Sequence, residues 1–243
     1  MKKSKLLIMI IISVVLAASL YAQSADDILA KHFDAVNQEK LSSVNSLKIM
    51  ATMSMMGQEV PMTVYQKRPD KIRTEVEMQG MKMKTVINGK EGWTMNPMMG
   101  ATEPQKIPES QMESATGDSD FFDSELFDYA GKGHTVVKLD DAEVNGKSAY
   151  VLQLNHKNGQ SVKYYIDKSN YLILKTSAHV KNMGVEVDVD SYHKDYKEVN
   201  DIPFAHTIEV YSNGQLFQTT KITAIELNKD VDDTMFEKSS LTK

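Results

Sequence analysis

Residues 150–166 read YVLQLNHKNGQSVKYYI, and their pattern decides the fold. Tyr150, Leu152 and Leu154 share one parity, and Val162, Tyr164 and Ile166 repeat the same spacing. A period of two places alternate side chains on one face of a strand. Between the two runs sits Asn158-Gly159, a pair that tolerates the positive φ angles of a tight hairpin turn. The stretch therefore predicts an antiparallel hairpin with one apolar face.

The same grammar extends in both directions. Asn88-Gly89, Asn145-Gly146 and Asn213-Gly214 also separate alternating runs. Upstream, Leu47, Ile49, Ala51, Met53 and Met55 alternate, followed by Met62 and Val64, by Ile72, Val76 and Met78, and by Met81, Met83 and Ile87. Downstream come Val185, Val187 and Val189, then Phe204, His206, Ile208 and Val210, and a last long strand over Phe217–Leu227. Successive hairpins make neighbouring strands antiparallel, and about ten or eleven of them suit one large curved sheet or barrel. No repeat or low-complexity linker divides the chain, so it reads as mainly β with a few helices in one domain.

Residues 1–22 have the form of a secretory signal. Lys2, Lys3 and Lys5 precede an apolar run from Leu6 to Leu16, and small residues follow at Ala17, Ala18, Ser19 and Ala22. Cleavage is expected near Ala22, leaving a mature domain of residues 23–243 in the periplasm; the alternative is an uncleaved anchor, for which the run is short. The chain has no cysteine, which excludes a lipid-anchored precursor and any disulfide. Of 28 basic and 33 acidic residues, the leader takes three lysines and no acid, so the mature chain is more acidic still and lacks the basic footprint of a nucleic-acid binder. Ser24 with Asp27 approximates a capping box, and Leu29, Phe33 and Val36 recur at helical spacing behind it. His32, beside that stripe, reads as a surface or hydrogen-bonded histidine rather than a ligand.

Residues 97–131 break the strand pattern. Pro97, Pro104 and Pro108 fall here. Two helices are expected, one from Pro108 through Met112 and one from Asp118 carrying Phe122, Leu126 and Tyr129. The segment reads either as a flap over the sheet or as a plug in the core.

Of 16 methionines, twelve fall between Met50 and Met112, many two apart and hence on one face. Methionine is flexible and polarizable and suits a surface that accommodates variable apolar shapes. Such a surface would take lipid or acyl chains; a closed methionine-rich core is the plain alternative. A copper site from Met53, Met55, Met81 and Met83 is a third reading, against which the six histidines are scattered without ligand spacing. Glu186, Asp188 and Asp190 alternate with valines and read as a solvated strand face, and Asp118, Asp120 and Asp123 lack the glycine and terminal glutamate of a calcium loop. There is no nucleophile elbow, zinc-helix motif or phosphate-binding glycine loop, so the chain reads as a carrier without cofactor or metal and not as an enzyme.

At Tyr65-Gln66-Lys67-Arg68-Pro69-Asp70-Lys71-Ile72-Arg73 the chain resembles the LolA family of periplasmic outer-membrane lipoprotein carriers. Asn88-Gly89-Lys90 and Trp93-Thr94-Met95-Asn96-Pro97 follow in the family's order. Val231-Asp232-Asp233-Thr234-Met235-Phe236 looks like its terminal segment, and Asp195–Phe204 resembles lipoprotein-sorting-like proteins of bacteroidete type. The resemblance implies a half-open antiparallel β-barrel with an N-terminal helix and a helical lid, here residues 97–131, over an apolar cavity. It implies a monomeric chaperone that shields lipoprotein acyl chains on the way to the outer membrane, with an inner-membrane release complex and an outer-membrane acceptor as partners. The family's functional arginine transfers to Arg68, whose parity matches Met62 and Val64. The cavity and its rim are then expected at Arg68 with Met53, Met55, Met62, Val64 and Ile72. Met78, Met83, Trp93, Met95, Phe122 and Leu126 complete them. The family's cavity is rich in aromatics where this chain carries methionine, so a lipid-binding or envelope-sensor module of the same fold is the second reading.

Overall fold

The computed structural model describes residues 23–242 apart from 56, 109–111, 113–122 and 183–184. Residues 1–22, the expected leader, and Phe122 lie outside the described residues. Thirteen strands form one sheet: β1 (Ser46–Met55), β2 (Gln58–Lys67), β3 (Lys71–Met78), β4 (Met81–Asn88), β5 (Glu91–Met95), β6 (Gln105–Lys106), β7 (Thr135–Val144), β8 (Lys147–Asn155), β9 (Ser161–Asp167), β10 (Ile173–Asn182), β11 (Val185–Val199), β12 (Ile202–Ser212) and β13 (Gln215–Leu227). Every adjacent pair is antiparallel, and the spatial order runs β6-β5-β4-β3-β2-β1-β13-β12-β11-β10-β9-β8-β7. The two ends, β6 and β7, do not pair with each other, so the sheet is not closed into a barrel. The count exceeds ten or eleven because short elements such as β6 carry too few residues to register as a period.

The order follows from local turns. Asn145 and Gly146 have φ of 50° and 81°, and Asn213 and Gly214 have 48° and 78°, the left-handed pair that a two-residue hairpin requires. Neighbours in sequence thus pair in space; the one long-range closure joins β1 to β13 through Leu47↔Leu227 and Ile49↔Ile225.

Two helices lie on one face of the sheet. In α1 (Ala25–Ala35) the Ser24 hydroxyl accepts from the Asp27 amide at 3.1 Å, and the Asp27 carboxylate accepts from the Ser24 amide at 3.2 Å, a reciprocal capping box. Ile28 and Leu29 of α1 pack with Leu126, Leu152, Leu154, Tyr164 and Ile166 in a core whose members are almost fully buried. His32 is buried there too, and its Nδ1 lies 2.7 Å from the Tyr171 carbonyl. The short α2 (Gln38–Ser42) and Val44 cover Leu47 and Ile202, with Leu41, Ile49, Phe204, Ile225 and Leu227 around them. Ile166, Tyr164, Leu152 and Leu154 share a face by register, as do Leu47, Ile49, Ile225 and Leu227. This is the helix-bearing face.

The other face is covered at β3–β5 by the C-terminal segment, two 3₁₀ turns at Asp233–Phe236 and Lys238–Thr242. Phe236 and Leu241 are fully buried. The nearly buried Arg73 donates to the Met235 carbonyl at 2.8 Å and to the Ser240 hydroxyl at 2.7 Å. Lys67 and Lys71 both pair with Asp233, at 2.6 and 3.0 Å.

Of the two helices expected in 97–131, residues 109–111 and 113–122 lie outside the described residues. Pro97–Met99 is a 3₁₀ turn, and Met112 is helical, its amide donating to the Pro108 carbonyl at 3.0 Å. Leu126 and Tyr129 lie in consecutive turns and not in a helix: Asp128 sits at φ 50°, in the left-handed region, which interrupts right-handed winding.

Candidate functional site

The methionines of β1–β4 other than Met50 gather on the helix-bearing face. Directly paired residues on antiparallel strands share a face. Ala51 pairs with Met62, Met62 with Val76 and Val76 with Met83, one row across four strands. Ile49, Val64, Thr74 and Thr85 form the next row, and Leu47, Gln66, Ile72 and Ile87 the one after. Met53, opposite Val60, and Met78, opposite Met81, extend the field toward the hairpin ends. Met53, Met62, Val64, Ile72, Met78 and Met83 are each half-buried, whereas Val60 and Val76 between them are buried. For Met55 the backbone is paired with Gln58 and Gln218, and its side chain lies outside the described residues. The field is thus an apolar surface of flexible side chains that the helices packed on β8, β9 and the base of β1 leave half-uncovered.

Two expected lining residues belong elsewhere. Trp93 pairs with Val86 and Met95 with Lys84, on the face opposite Met83 and Ile87. There Trp93 stacks under Lys238, whose Nζ is 4.3 Å from the ring centroid. The register of the β4–β5 hairpin, Asn88↔Glu91, fixes this parity, and the C-terminal segment supplies the cover that a tryptophan needs. Trp93 and Met95 therefore drop out of the lining.

Gly92, opposite Ile87, takes the position on the helix-bearing face that Trp93 does not. A Cβ there would collide with the Met112 sulfur and meet the Ile107 methyl at 3.0 Å. The absence of a side chain at Gly92 lets Met112, 5% exposed, seat itself on β5, and the Ile107 amide bonds the Gly92 carbonyl at 2.9 Å. This is one root of the 97–131 segment. The other is at its far end, where Leu126 is wholly buried beside α1 and Asp123 meets Arg68.

Arg68 ties three elements together at the end of β2. Its Nε donates to the Val44 carbonyl at 2.7 Å and its Nη2 to the Leu41 carbonyl at 3.2 Å, the first just after α2 and the second in its last turn. Its Nη1 lies 3.4 Å from the Asp123 carboxylate, and both side chains are largely buried, at 17% and 13% exposure. Asp123 also accepts from the Gln38 amide at 2.7 Å. A planar guanidinium with fixed donors is suited to such a three-way clamp. Lys84, on the opposite face, is desolvated beside Arg73, and both effects push its ammonium pKa down; it donates to the Leu241 carbonyl at 3.2 Å.

Sequence reasoning did not find Asp123, Gln38 or Met112 as site residues. Asp118 and Asp120 lie outside the described residues, and Asp123, grouped with them as a loop acid, serves instead as the partner of Arg68. A glycine at an alternating strand position, Gly92, was the one available sign that another segment approaches the sheet there. Glu186, Asp188 and Asp190 do lie on the face opposite Val187 and Val189. The copper set does not converge: Met53 on β1 and Met81 and Met83 on β4 are three strand spacings apart, about 14 Å.

A family model described as "Uncharacterized protein" matches residues 63–243. No curated protein matches the chain. Three solved structures share its fold at 15% identity each. An outer membrane lipoprotein-sorting protein domain from Vibrio parahaemolyticus superposes with a TM-score of 0.59, over 86% of this chain and 97% of that one. A DUF1329 family protein from Desulfovibrio piger gives 0.61, over 88% and 98%. A LolA superfamily protein from Nitrosomonas europaea gives 0.60, over 90% and 99%.

Proposed function

The chain belongs to the family of uncharacterized proteins whose model it matches and has a LolA-like fold; from that premise we propose that it is a periplasmic carrier that shields the acyl chains of lipoproteins in transfer toward the outer membrane. The observation that carries the proposal is the half-buried methionine field on the helix-bearing face of β1–β4, flanked by the two roots of the 97–131 segment.

The mechanism follows from solvation. Each CH₂ of an acyl chain exposed to water costs about 0.8 kcal/mol, so a multiply acylated anchor does not cross an aqueous compartment unescorted. Met53, Met62, Met78 and Met83 offer unbranched, adaptable side chains to that hydrocarbon, and Val60, Val64, Ile72 and Val76 give it a floor. Met112 is seated on β5 at one border of the field, and Asp123 is held by Arg68 at another. The chain carries no phosphate-binding glycine loop, so loading draws its energy from an inner-membrane partner and release from an outer-membrane acceptor.

Native mass spectrometry of protein purified from its own periplasm tests the reading. An acylated lipoprotein bound one to one supports it. Bound phospholipid supports the alternative of a lipid-binding or envelope-sensor module on the same face, and a protein that carries neither, and takes up neither from micelles, overturns both.

A further inference from the structure

Two buried side-chain atoms have no hydrogen-bond partner among the described residues, the Oε1 of Gln38 in α2, whose amide nitrogen is bonded to Ser42 and Asp123, and, on the sheet itself, the Nε2 of His193. His193 sits mid-sheet on β11, directly opposite Ile208 on β12; Ile208 is opposite Thr220 on β13, and Thr220 is opposite Met53 on β1. This row runs from His193 into the methionine field. Thr220 accepts from the Gln218 amide at 3.0 Å, and the His206 Nδ1 lies 3.0 Å from the Phe204 carbonyl. The buried His32, on the same face, likewise has the Tyr171 carbonyl. His193 alone among these three histidines lacks such a contact. Leaving a buried ring nitrogen unpaired opposes folding, and such atoms mark places where a further group bonds.

We propose that His193 is the anchor for the ester carbonyl of a bound acyl chain, its Nε2–H donating to the carbonyl oxygen while the hydrocarbon runs along the row toward Met53. The proposal rests on the acyl-binding reading above and adds to it the chemistry of the ligand's polar end. Burial pushes the His193 imidazole pKa down from its ordinary value, so the ring is neutral near pH 7 and presents one donor and one acceptor. Apolar neighbours such as Ile208 and Val210 disfavour a charged carboxylate or phosphate at this depth, whereas an ester oxygen is a neutral acceptor joined directly to the chain. Met53 is three strand spacings away, about 14 Å, within the length of a long acyl chain.

The test is a comparison of 1-oleoylglycerol, an ester, with 1-O-oleylglycerol, the ether that lacks only the carbonyl, each displacing N-phenyl-1-naphthylamine from the full mature protein. The ester is expected to displace the probe at about five- to tenfold lower concentration, the worth of one neutral hydrogen bond. In His193→Leu the ester falls to the ether's value and the ether is unchanged; in His193→Gln part of the preference returns. Equal potency of ester and ether on the wild-type protein overturns the proposal and leaves acyl binding standing, as does a full ester preference retained in His193→Leu. Displacement by neither overturns acyl binding itself. ¹⁵N NMR of the wild-type ring reads the same contact without a variant: the His193 Nε2 resonance shifts with the ester and stays with the ether, and identical shifts contradict the anchor.

Discussion

Two halves of the helix-bearing face carry the same alternating pattern and are finished differently. On β8 and β9, Leu152, Leu154 and Ile166 are fully buried because α1 lays Ile28 and Leu29 across them. On β1–β4, Met53, Met62, Met78 and Met83 stand at the same strand positions but remain half-buried. Residue choice follows the difference. The covered half uses leucine and isoleucine, which pack in defined rotamers; the uncovered half uses methionine, which adapts. A methionine-rich closed core would have the methionines as buried as the leucines, and they are not.

The largest effect that sharpens this contrast is a cavity under α1. Leu152→Ala or Leu154→Ala is expected to cost about 2–5 kcal/mol in urea unfolding, whereas Met62→Ala costs about 1 kcal/mol, because its site is open and the sheet loses less burial there. Equal losses in both halves would erase the distinction.

Arg68→Leu comes next. It removes the bonds to the Leu41 and Val44 carbonyls and leaves Asp123 without its cation. A loss of about 2–4 kcal/mol is expected, together with faster exchange of bound lipid to acceptor vesicles. Unchanged exchange in a folded variant contradicts the clamp.

Acidification acts on the covered half through His32. Burial holds its pKa below the ordinary 6.5, so the unfolded chain binds a proton that the fold resists. Stability is complete above pH 6.5 and falls as pH drops below it toward the folded-state value. In His32→Leu, urea midpoints between pH 7 and pH 5 should change less than in the wild type. Ser24→Ala, which removes the cap of α1, costs about 1 kcal/mol. The smallest effect is expected from Met62→Leu and Met83→Leu, within about 1 kcal/mol in stability, with a narrower range of acyl chains accepted in a displacement series.

The sequence made the hairpins legible because alternation and Asn-Gly turns are local properties, as at Tyr150–Ile166. The capping box of Ser24 and Asp27 was legible for the same reason. What escaped depends on contacts distant in sequence. Trp93 follows from a family-like motif, but its face is decided by a C-terminal segment more than a hundred residues away. Arg68 had a visible parity, while its partners Leu41, Val44 and Asp123 come from segments that only folding brings together. Leu126 and Tyr129, expected on a helix, lie in turns beside the left-handed φ of Asp128, which apolar spacing does not encode. His193 gave no signal in sequence, since an unpaired nitrogen exists only once its neighbours are in place.

The most direct measurement is ¹³C NMR of the methionine ε-methyls during lipid titration, with each resonance assigned by substitution. Acyl chains lying on the helix-bearing face will shift Met53, Met62, Met78 and Met83 and leave Met50 and Met95, on the opposite face, in place. Shifts of Met50 and Met95 with a silent field, or no shifts at saturating lipid, would contradict the account.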